Sequence, residues 1–305
     1  MNKPVISAKG LTKKYGRTAA LDSVDITVYR GDICAVIGRN GAGKTTLFRV
    51  LTGLNSADSG EYTVLDRSAG EISSIMHRVG SLIERPAFFP NLTAGQNLKY
   101  YALQRGITDD ANIDEALRTV GMYDERKKKF RKLSLGMKQR LGIALAFLDD
   151  PDIVFLDEPN NGIDPTGISE LRESILCMNR EKGITFIISS HILTELYTIA
   201  NRFMFIDGGR IIRSMTKAEL NKECMRYTAV ETNDASRAVA LLEEQLSLTD
   251  YTVTDTSQLR IYQSAASSAE INRILVQGGV EVSALYESGL SIEDFFISII
   301  GGDKQ

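Results

Sequence analysis

The chain has 305 residues, 43% of them hydrophobic, and a formal net charge of -3 from 36 basic and 39 acidic side chains. This length accommodates one large domain and one smaller domain. The near balance of charge predicts no broad basic surface, so we expect no nucleic-acid partner. Cys34, Cys177 and Cys224 have neither metal nor disulfide spacing and indicate a reducing compartment. We see no signal-peptide core, and every apolar segment is too short to span a membrane.

Two segments near the start of the chain, residues 5–9 and 24–28, alternate in hydrophobicity and predict strands of a small antiparallel sheet. Between them lies Tyr15, within the sequence Thr-Lys-Lys-Tyr-Gly. An aromatic ring ahead of a phosphate loop can stack on adenine, whereas a lone tyrosine is more often simply packed. Spacing alone leaves both interpretations of Tyr15 open.

The pattern Gly-x-x-x-x-Gly-Lys-Thr stands at residues 38–45, between an apolar run that predicts a strand and a segment that predicts a helix. In this context backbone N–H groups and the positive end of the helix can hold phosphates. We therefore predict a nucleoside-triphosphate site, with Lys44 at the β- and γ-phosphates and Thr45 as a Mg²⁺ ligand. The expected nucleotide contacts are Gly38, Asn40, Gly41, Ala42, Gly43, Lys44, Thr45 and Thr46.

The middle of the chain begins with strands predicted at 60–65 and 79–83 and a helix from the cap Thr93 to about Gln104. Residues 111–131 have helical periodicity and end in a basic run. We interpret that run as a solvated helix face, and acidic headgroups are the alternative neighbours.

A second phosphate-binding pattern lies at residues 133–140, with the sequence Leu-Ser-Leu-Gly-Met-Lys-Gln-Arg. Ser134 and the backbone of Gly136 stand where a helix is predicted to begin. Taken alone, this pattern is weak evidence for phosphate binding, because helix capping by itself would explain it.

An apolar strand predicted at 152–156 ends in Asp157 and Glu158. Open α/β sheets bind ligands at the carboxyl ends of their strands. Asp157 can hold Mg²⁺ directly or through water, and Glu158 can polarise a water aimed at the γ-phosphate. A strand predicted at 184–188 then leads to His191, which is either a γ-phosphate donor or simply a helix-start residue.

In this order the motifs resemble the ATP-binding-cassette (ABC) family over about residues 4–215. The resemblance implies a Walker A loop at 38–45, a signature at 133–140, a Walker B strand at 153–158, a D-loop around Asp164 and a switch histidine at His191. It implies an α/β P-loop NTPase cassette with a mixed sheet core, a small antiparallel sheet and a helical subdomain at about 85–150.

The resemblance also assigns roles. It implies catalysis by Glu158, His191 and Lys44, with ATP and Mg²⁺ as cofactors. Two cassettes are expected to stack head to tail, so that the signature of one closes on the ATP of the other. Further nucleotide contacts are then expected from Tyr15, Ser134, Gly136 and Asp164.

One departure from the family lies at Glu84, where glutamine is usual at the end of the strand before the helical subdomain. A glutamate gives Mg²⁺ a charged oxygen, so we expect it to remain a metal ligand with an altered charge balance. The stretch 83–93 resembles the bacitracin-resistance and lantibiotic-immunity branch, although neutral drift is an alternative. Leu135 and Met137 also depart from the signature, but the Ser134–Gly136 core remains.

Residues 216–305 predict a different module, with a β-α-β-β-α-β order that fits a ferredoxin-like split. Its predicted strands are at 225–231, 250–254, 258–263 and 280–286, and its helices at 234–246, 267–277 and from Ser291. We find no catalytic constellation here and favour a dimerising or regulatory appendage over a ligand sensor.

The function expected from these observations is ATP hydrolysis coupled to export through a separate membrane permease, at the cytoplasmic face of the membrane. The branch resembled indicates antimicrobial-peptide resistance. An exporter of another substrate, a non-transport ABC protein and a phosphate-loop kinase are the alternatives. We expect a homodimer, but the sequence does not decide between homodimer and heterodimer.

Overall fold

A computed structural model of the chain describes residues 3–83, 87–224, 227–262 and 267–301. The chain divides into two compact units, Met1–Lys217 and Ala218–Gln305. Within the described ranges, no helix combines the length and the apolar character needed to cross a bilayer.

The first unit contains two sheets in its described part. Its strands are β1 (Pro4–Tyr15), β2 (Thr18–Tyr29), β3 (Ile33–Ile37), β4 (Ser59–Val64), β5 (Arg67–Ser68), β6 (Val79–Leu82), β7 (Ile153–Asp157), β8 (Thr185–Ser190), β9 (Arg202–Asp207) and β10 (Arg210–Thr216). Its helices are α1 (Lys44–Leu51), α2 (Ala94–Gln104), α3 (Asp110–Thr119), α4 (Leu135–Phe147), α5 (Pro165–Lys182) and α6 (Leu193–Tyr197), with 3-10 segments at Ala69–Arg78 and Phe130–Lys132.

The larger sheet has six strands in the order β10-β9-β3-β8-β7-β6, parallel except for the edge strand β10. All five residues of β3 and all six of β8 are buried, because helices cover both faces of such a sheet and its strands must be apolar throughout. Ile37 pairs with Ser190, and Asp157 pairs with Ser189. The carboxyl ends of β3, β8 and β7 therefore meet at one edge.

The smaller sheet is antiparallel, in the order β2-β1-β4-β5. Strand β1 is longer than the sequence pattern predicts, because it continues through Tyr15, which pairs with Thr18. Shifts of register between Ala8 and Leu11 interrupt the alternation of buried and exposed side chains that marks a regular strand. The two 12-residue strands thus form one long hairpin ahead of the phosphate loop.

Helices α2, α3 and α4 follow β6. Thr93 caps α2 as predicted, by accepting a hydrogen bond from the Gln96 N–H at 3.1 Å. The prediction of a helix through residue 131 is wrong, because α3 ends at Thr119 and Gly121 adopts a left-handed φ of 65°.

The basic run at residues 126–129 is consequently not a helix face. Its backbone lies against the start of α2, where the Arg126 carbonyl accepts from the Gly95 N–H at 2.9 Å and the Lys128 carbonyl accepts from the Ala94 N–H at 3.0 Å. These carbonyls satisfy N–H groups that a helix start leaves without partners inside the helix.

The second unit follows the chain order strand, helix, strand, strand, helix, strand. Its elements are β11 (Tyr227–Thr232), α8 (Ala235–Leu246), β12 (Tyr251–Asp255), β13 (Gln258–Ile261), α9 (Ser268–Gln277), β14 (Val282–Ser288) and α10 (Ile292–Gly301), preceded by α7 (Lys217–Cys224) at the division. The sheet is antiparallel in the order β12-β13-β11-β14. The first and third strands of the unit, β11 and β13, lie in the middle, as in a ferredoxin-like split. Its apolar core includes Val230, Leu242, Leu259, Ile261 and Leu275.

Candidate functional site

The loop between β3 and α1 forms an open pocket of about 210 Å³. Gly43 precedes the first helical residue with a φ of 112°, a left-handed conformation that side chains disfavour. A Cβ at this position would also stand 2.6 Å from the carbonyl oxygen of Ala20. No side chain caps α1, so its first N–H groups are left for a ligand. The pocket is lined by Ala20, Arg39, Asn40, Gly41, Ala42, Gly43, Lys44, Thr45, Thr46 and Glu158.

Lys44 lies at the bottom of this loop with only 6% of its side chain exposed. Its Nζ donates to the carbonyl oxygens of Gly38 at 2.7 Å and Arg39 at 3.2 Å. The same Nζ stands 3.1 Å from Glu158 Oε1. A buried ammonium needs such partners, and a phosphate that enters the pocket would compete with Glu158 for the charge of Lys44.

The two carboxylates at the end of β7 take different positions. Asp157 Oδ2 accepts from Thr45 Oγ1 at 2.6 Å, and its Oδ1 accepts from Ser189 Oγ at 2.6 Å. Ser189 Oγ also accepts from the Glu158 N–H at 2.8 Å. This fully buried serine on β8 therefore fixes Asp157 and the Glu158 backbone together.

Glu158 has a left-handed φ of 48°, a backbone conformation that costs a residue with a side chain about 1–3 kcal/mol. This turn places the Glu158 carboxylate between Lys44 and His191. Oε2 lies 2.9 Å from His191 Nδ1, while Oε1 contacts Lys44 at an angle that leaves it without a hydrogen bond to any described residue. Lys44, Glu158 and His191 are thus brought together beside the phosphate loop.

The adjacent oxygens of Thr45 and Asp157 are the ligand type that Mg²⁺ prefers. Among the described residues, no group of three or more histidine, cysteine or acidic side chains could hold a metal. The protein supplies few ligands at this point, as expected where phosphate oxygens and water complete the coordination. Glu84, the third predicted metal ligand, lies outside the described residues.

The signature residues lie at the start of α4. Ser134 caps the helix by accepting from the Met137 N–H at 3.2 Å. Gly136 packs against the turn before α5, where a Cβ would stand 2.9 Å from the carbonyl oxygen of Gly162. Asp164 ends the same turn and is exposed. None of Ser134, Gly136 and Asp164 is among the described residues that line the phosphate-loop pocket.

Arg140, at the end of the signature, was not identified as a candidate from the sequence. Its Nη1 lies 2.8 Å from Glu170 Oε2, and its Nη2 lies 3.6 Å from Asp164 Oδ1. The guanidinium also lies so close to Gly167 that a Cβ there would collide with it. Arg140 thus joins the signature helix to the start of α5. The only sequence signal for this link is an arginine in one motif and acidic residues near the other.

Tyr15 lies at the end of β1 with 47% of its surface exposed. Its hydroxyl accepts from Asn55 Nδ2 at 2.5 Å, and Lys13 Nζ stands 5.7 Å from the ring centroid. The strand paired with it, β2, carries the pocket residue Ala20. Tyr15 is therefore not a packed core residue, and its ring stays accessible on the hairpin that borders the loop.

Cys34 lies on β3, just ahead of the loop, and is fully buried. Burial raises the pKa of its thiol to about 12. The thiol stays protonated near neutral pH and acts as an apolar filler behind the phosphate loop.

Comparison with known proteins adds to this geometry. The family model described as ABC transporter matches residues 21–161. The bacitracin transport ATP-binding protein BcrA of Bacillus licheniformis is 39% identical over 98% of this chain and 98% of its own length. This chain belongs to the ABC transporter ATP-binding family. The family predicted from the order of the motifs is thereby confirmed.

Two further proteins resemble this ABC protein over a smaller part of the chain. The lantibiotic transport ATP-binding protein SrtF of Streptococcus pyogenes is 40% identical over 68% of this chain and 89% of its own length. The post-hydrolysis dimer of the ATP-binding cassette MJ0796, bound to ADP and Pi, aligns with a TM-score of 0.64 at 22% identity. That alignment covers 70% of this chain and 98% of the cassette, and it confirms the predicted fold.

Family membership makes this chain an ATPase that powers transport. ATP-binding subunits of this family bind the nucleotide and work with membrane permeases. The predicted ATPase activity is therefore confirmed.

Proposed function

We propose that this ABC ATPase powers an exporter of antimicrobial peptides, through a separate permease at the cytoplasmic face of the membrane. The observation that carries the ATPase part is the meeting of Lys44, Glu158 and His191 beside the phosphate loop. The export part is supported by the similarity to the bacitracin transport protein, which extends over 98% of both chains. An exporter of another substrate class is the alternative.

Nucleotide binding would rest on the loop itself. The N–H groups of residues 38–46 and the start of α1 would hold the β- and γ-phosphates, with the buried Lys44 supplying the charge. The exposed ring of Tyr15 would stack on the adenine. Thr45, Asp157 and Glu84 would hold Mg²⁺, which when bound neutralises charge on the phosphates as the γ-phosphate is transferred to water.

Hydrolysis would depend on how Glu158 is held. A γ-phosphate in the loop would compete with Glu158 for Lys44, and the released carboxylate could then accept a hydrogen bond from water. As that water attacks the γ-phosphorus, Glu158 would orient it and accept its proton, while the bond to the ADP oxygen breaks. His191, 2.9 Å from Glu158, would orient this carboxylate and donate to the γ-phosphate.

A second cassette would complete the site. Ser134, Gly136 and Asp164 lie outside the phosphate-loop pocket of their own chain, and the cap Ser134 is exposed. In a head-to-tail homodimer, this helix start would meet the γ-phosphate held by the partner. Residues 216–305 would then form an accessory module of each subunit.

Glu158→Gln tests the hydrolytic role. The amide cannot accept the proton of water, so we expect ATP hydrolysis to fall by about 10²-fold or more while ATP binding remains. Steady-state phosphate release and equilibrium nucleotide binding measure the two effects, and light scattering with ATP reports the dimer. Glu181→Gln, an exposed carboxylate at the end of α5, is the matched control. Turnover of Glu158→Gln at the wild-type rate would contradict this assignment.

The exported substrate is tested with the complete transporter. The membrane protein that co-purifies with this chain would be reconstituted with it in vesicles, and ATP hydrolysis measured with bacitracin, a lantibiotic or neither. Stimulation by a peptide antibiotic supports the proposal. A permease-bound ATPase that responds to neither would favour the alternative substrate class.

A further inference from the structure

The second unit has a pocket of about 340 Å³ on its sheet that plays no part in the ATPase site. Its lining includes two basic residues, one acidic residue, two tyrosines and a leucine: Lys222, Arg260, Glu223, Tyr227, Tyr262 and Leu290. This volume falls within the range of about 300–1,000 Å³ that is usual for small-molecule sites.

The pocket is built on the sheet face that points away from the apolar core. Tyr227 on β11 pairs with Ser288 on β14, and Ala229 pairs with Arg260 on β13. Because side chains alternate along a strand, Tyr227 and Arg260 share one face. Their neighbours Val230, Leu259 and Ile261 belong to the core on the other face. The strand register therefore collects a guanidinium and aromatic rings at one end of this sheet.

The rings and the guanidinium are in contact. The centroids of Tyr227 and Tyr262 are 5.8 Å apart with an interplanar angle of 63°. Arg260 Cζ stands 5.0 Å from the Tyr227 centroid. These contacts hold the Arg260 fork against an aromatic wall, where a planar or apolar group could also pack.

The two basic side chains of this pocket have no ion-pair partner among the described residues. Arg260 Nε is buried and has no hydrogen-bond partner, and the guanidinium forms no ion pair within the described residues. Lys222 likewise has no carboxylate partner in that part of the chain, while the acidic lining residue Glu223 is engaged in an interaction of its own. By contrast, Arg237 in the same unit donates to the carbonyl of Gly278 at 2.8 Å. Because neither Arg260 nor Lys222 has a carboxylate partner among the described residues, their two positive charges favour an anionic ligand.

We propose that this pocket binds a soluble small molecule that carries a phosphate or carboxylate group on an aromatic or apolar body. The fork of Arg260 and the ammonium of Lys222 bind the anionic group. The faces of Tyr227 and Tyr262 and the side chain of Leu290, which is 40% exposed, cover the body. The second unit is then a ligand-binding module rather than a purely structural appendage.

Titration calorimetry of the full chain with phenyl phosphate and benzoate tests this site, with saturating ADP present to fill the phosphate loop. We expect at least one of these aromatic anions to bind with a Kd of about 1 mM or tighter. Phenol lacks the charge and inorganic phosphate lacks the ring, so both should bind more weakly. Absence of binding by both aromatic anions would overturn the proposal.

Arg260→Gln locates the binding. This change keeps a polar side chain of similar length but removes the fork, and we expect a loss of affinity of about tenfold or more. Arg273→Gln, exposed on α9, is the matched control and should bind as the wild type does. If Arg260→Gln fails to fold by circular dichroism, Tyr227→Leu replaces it with the same expectation. Unchanged affinity in the folded variant would show that the anion binds elsewhere and would refute the site.

Discussion

At the scale of single residues, Ser189 connects the two carboxylates of the proposed catalytic centre. Its hydroxyl donates to Asp157 and accepts from the Glu158 backbone, and it is buried. Each bond fixes a group whose position matters for chemistry, because Asp157 faces Thr45 and Glu158 faces Lys44. Ser189 is therefore a positioning residue, which we expect to act through its neighbours rather than on the nucleotide.

Ser189→Ala should lower the rate of hydrolysis more than the affinity for ATP. The substitution removes the acceptor of the Glu158 N–H, which costs about 1 kcal/mol and loosens the left-handed turn. We expect kcat to fall by about tenfold or more while the Kd for ATP changes little. Steady-state kinetics and nucleotide binding measure the two effects.

Thr185→Val, at the other end of β8, is the control. Thr185 is equally buried, but its hydroxyl accepts from the Gly31 N–H at 3.0 Å, away from the carboxylates and from His191. Equal loss of activity in both variants would mean that general destabilisation, rather than positioning of Glu158, explains the effect.

At the scale of elements, the signature helix α4 packs directly against the turn before α5, and we call this contact the joint. Gly136 lies against Gly162, while Arg140 reaches both Asp164 and Glu170. Two motifs that the sequence separates by more than a helix are therefore held together. A displacement of the turn would move the signature with it.

Gly136→Ala should weaken ATP hydrolysis by the assembled cassettes. The new methyl would stand 2.9 Å from the Gly162 carbonyl oxygen, so the turn or the helix must shift, at a cost of about 1–3 kcal/mol. Because Gly136 is not in the pocket of its own chain, we expect ATP binding by one subunit to persist. Parallel assays of binding and hydrolysis give the comparison.

Gly70→Ala is the control for this change, since a Cβ there meets nothing within 4 Å. Wild-type hydrolysis by Gly136→Ala would argue against the joint between α4 and the turn. Loss of nucleotide binding by a single Gly136→Ala subunit would argue that the change disrupts the cassette itself.

At the scale of the whole molecule, the chain has two compact units with separate apolar cores. The phosphate loop, Asp157, Glu158 and His191 all belong to the first unit, and the proposed anion pocket belongs to the second. Nucleotide binding should therefore stabilise the first unit directly, since a ligand stabilises the folded part that it binds.

Calorimetry of the Glu158→Gln chain, which we expect to retain ATP, tests this division. A ligand at one hundred times its Kd adds about 2.7 kcal/mol. For a unit of this size we expect its Tm to rise by about 5–10 °C, with a second transition unmoved. Lys44→Ala, which we expect to lose ATP affinity, is the control that should remove the shift. A single transition that moves as a whole would show that the two units unfold together.

Much of the fold and of the candidate site could be predicted because the signals are local. The strand, loop and helix around residues 38–45 depend on neighbouring residues, and so does the cap Thr93. The prediction for residues 111–131 is wrong because helical periodicity continues past Gly121, where the backbone turns and pairs with α2 instead. The role of Glu84 stays a prediction outside the described residues.

The sequence by itself determined the family, the phosphate loop and the order of the motifs, because residue type and spacing along the chain suffice for these. Tertiary structure decided which distant groups meet. Thr45 and Asp157 are 112 positions apart and come within 2.6 Å only because β3, β8 and β7 lie side by side. The same reason explains why only the structure shows the roles of Ser189, Arg140 and Arg260. Hydrogen bonding and burial depend on spatial neighbours that the order of residues does not reveal.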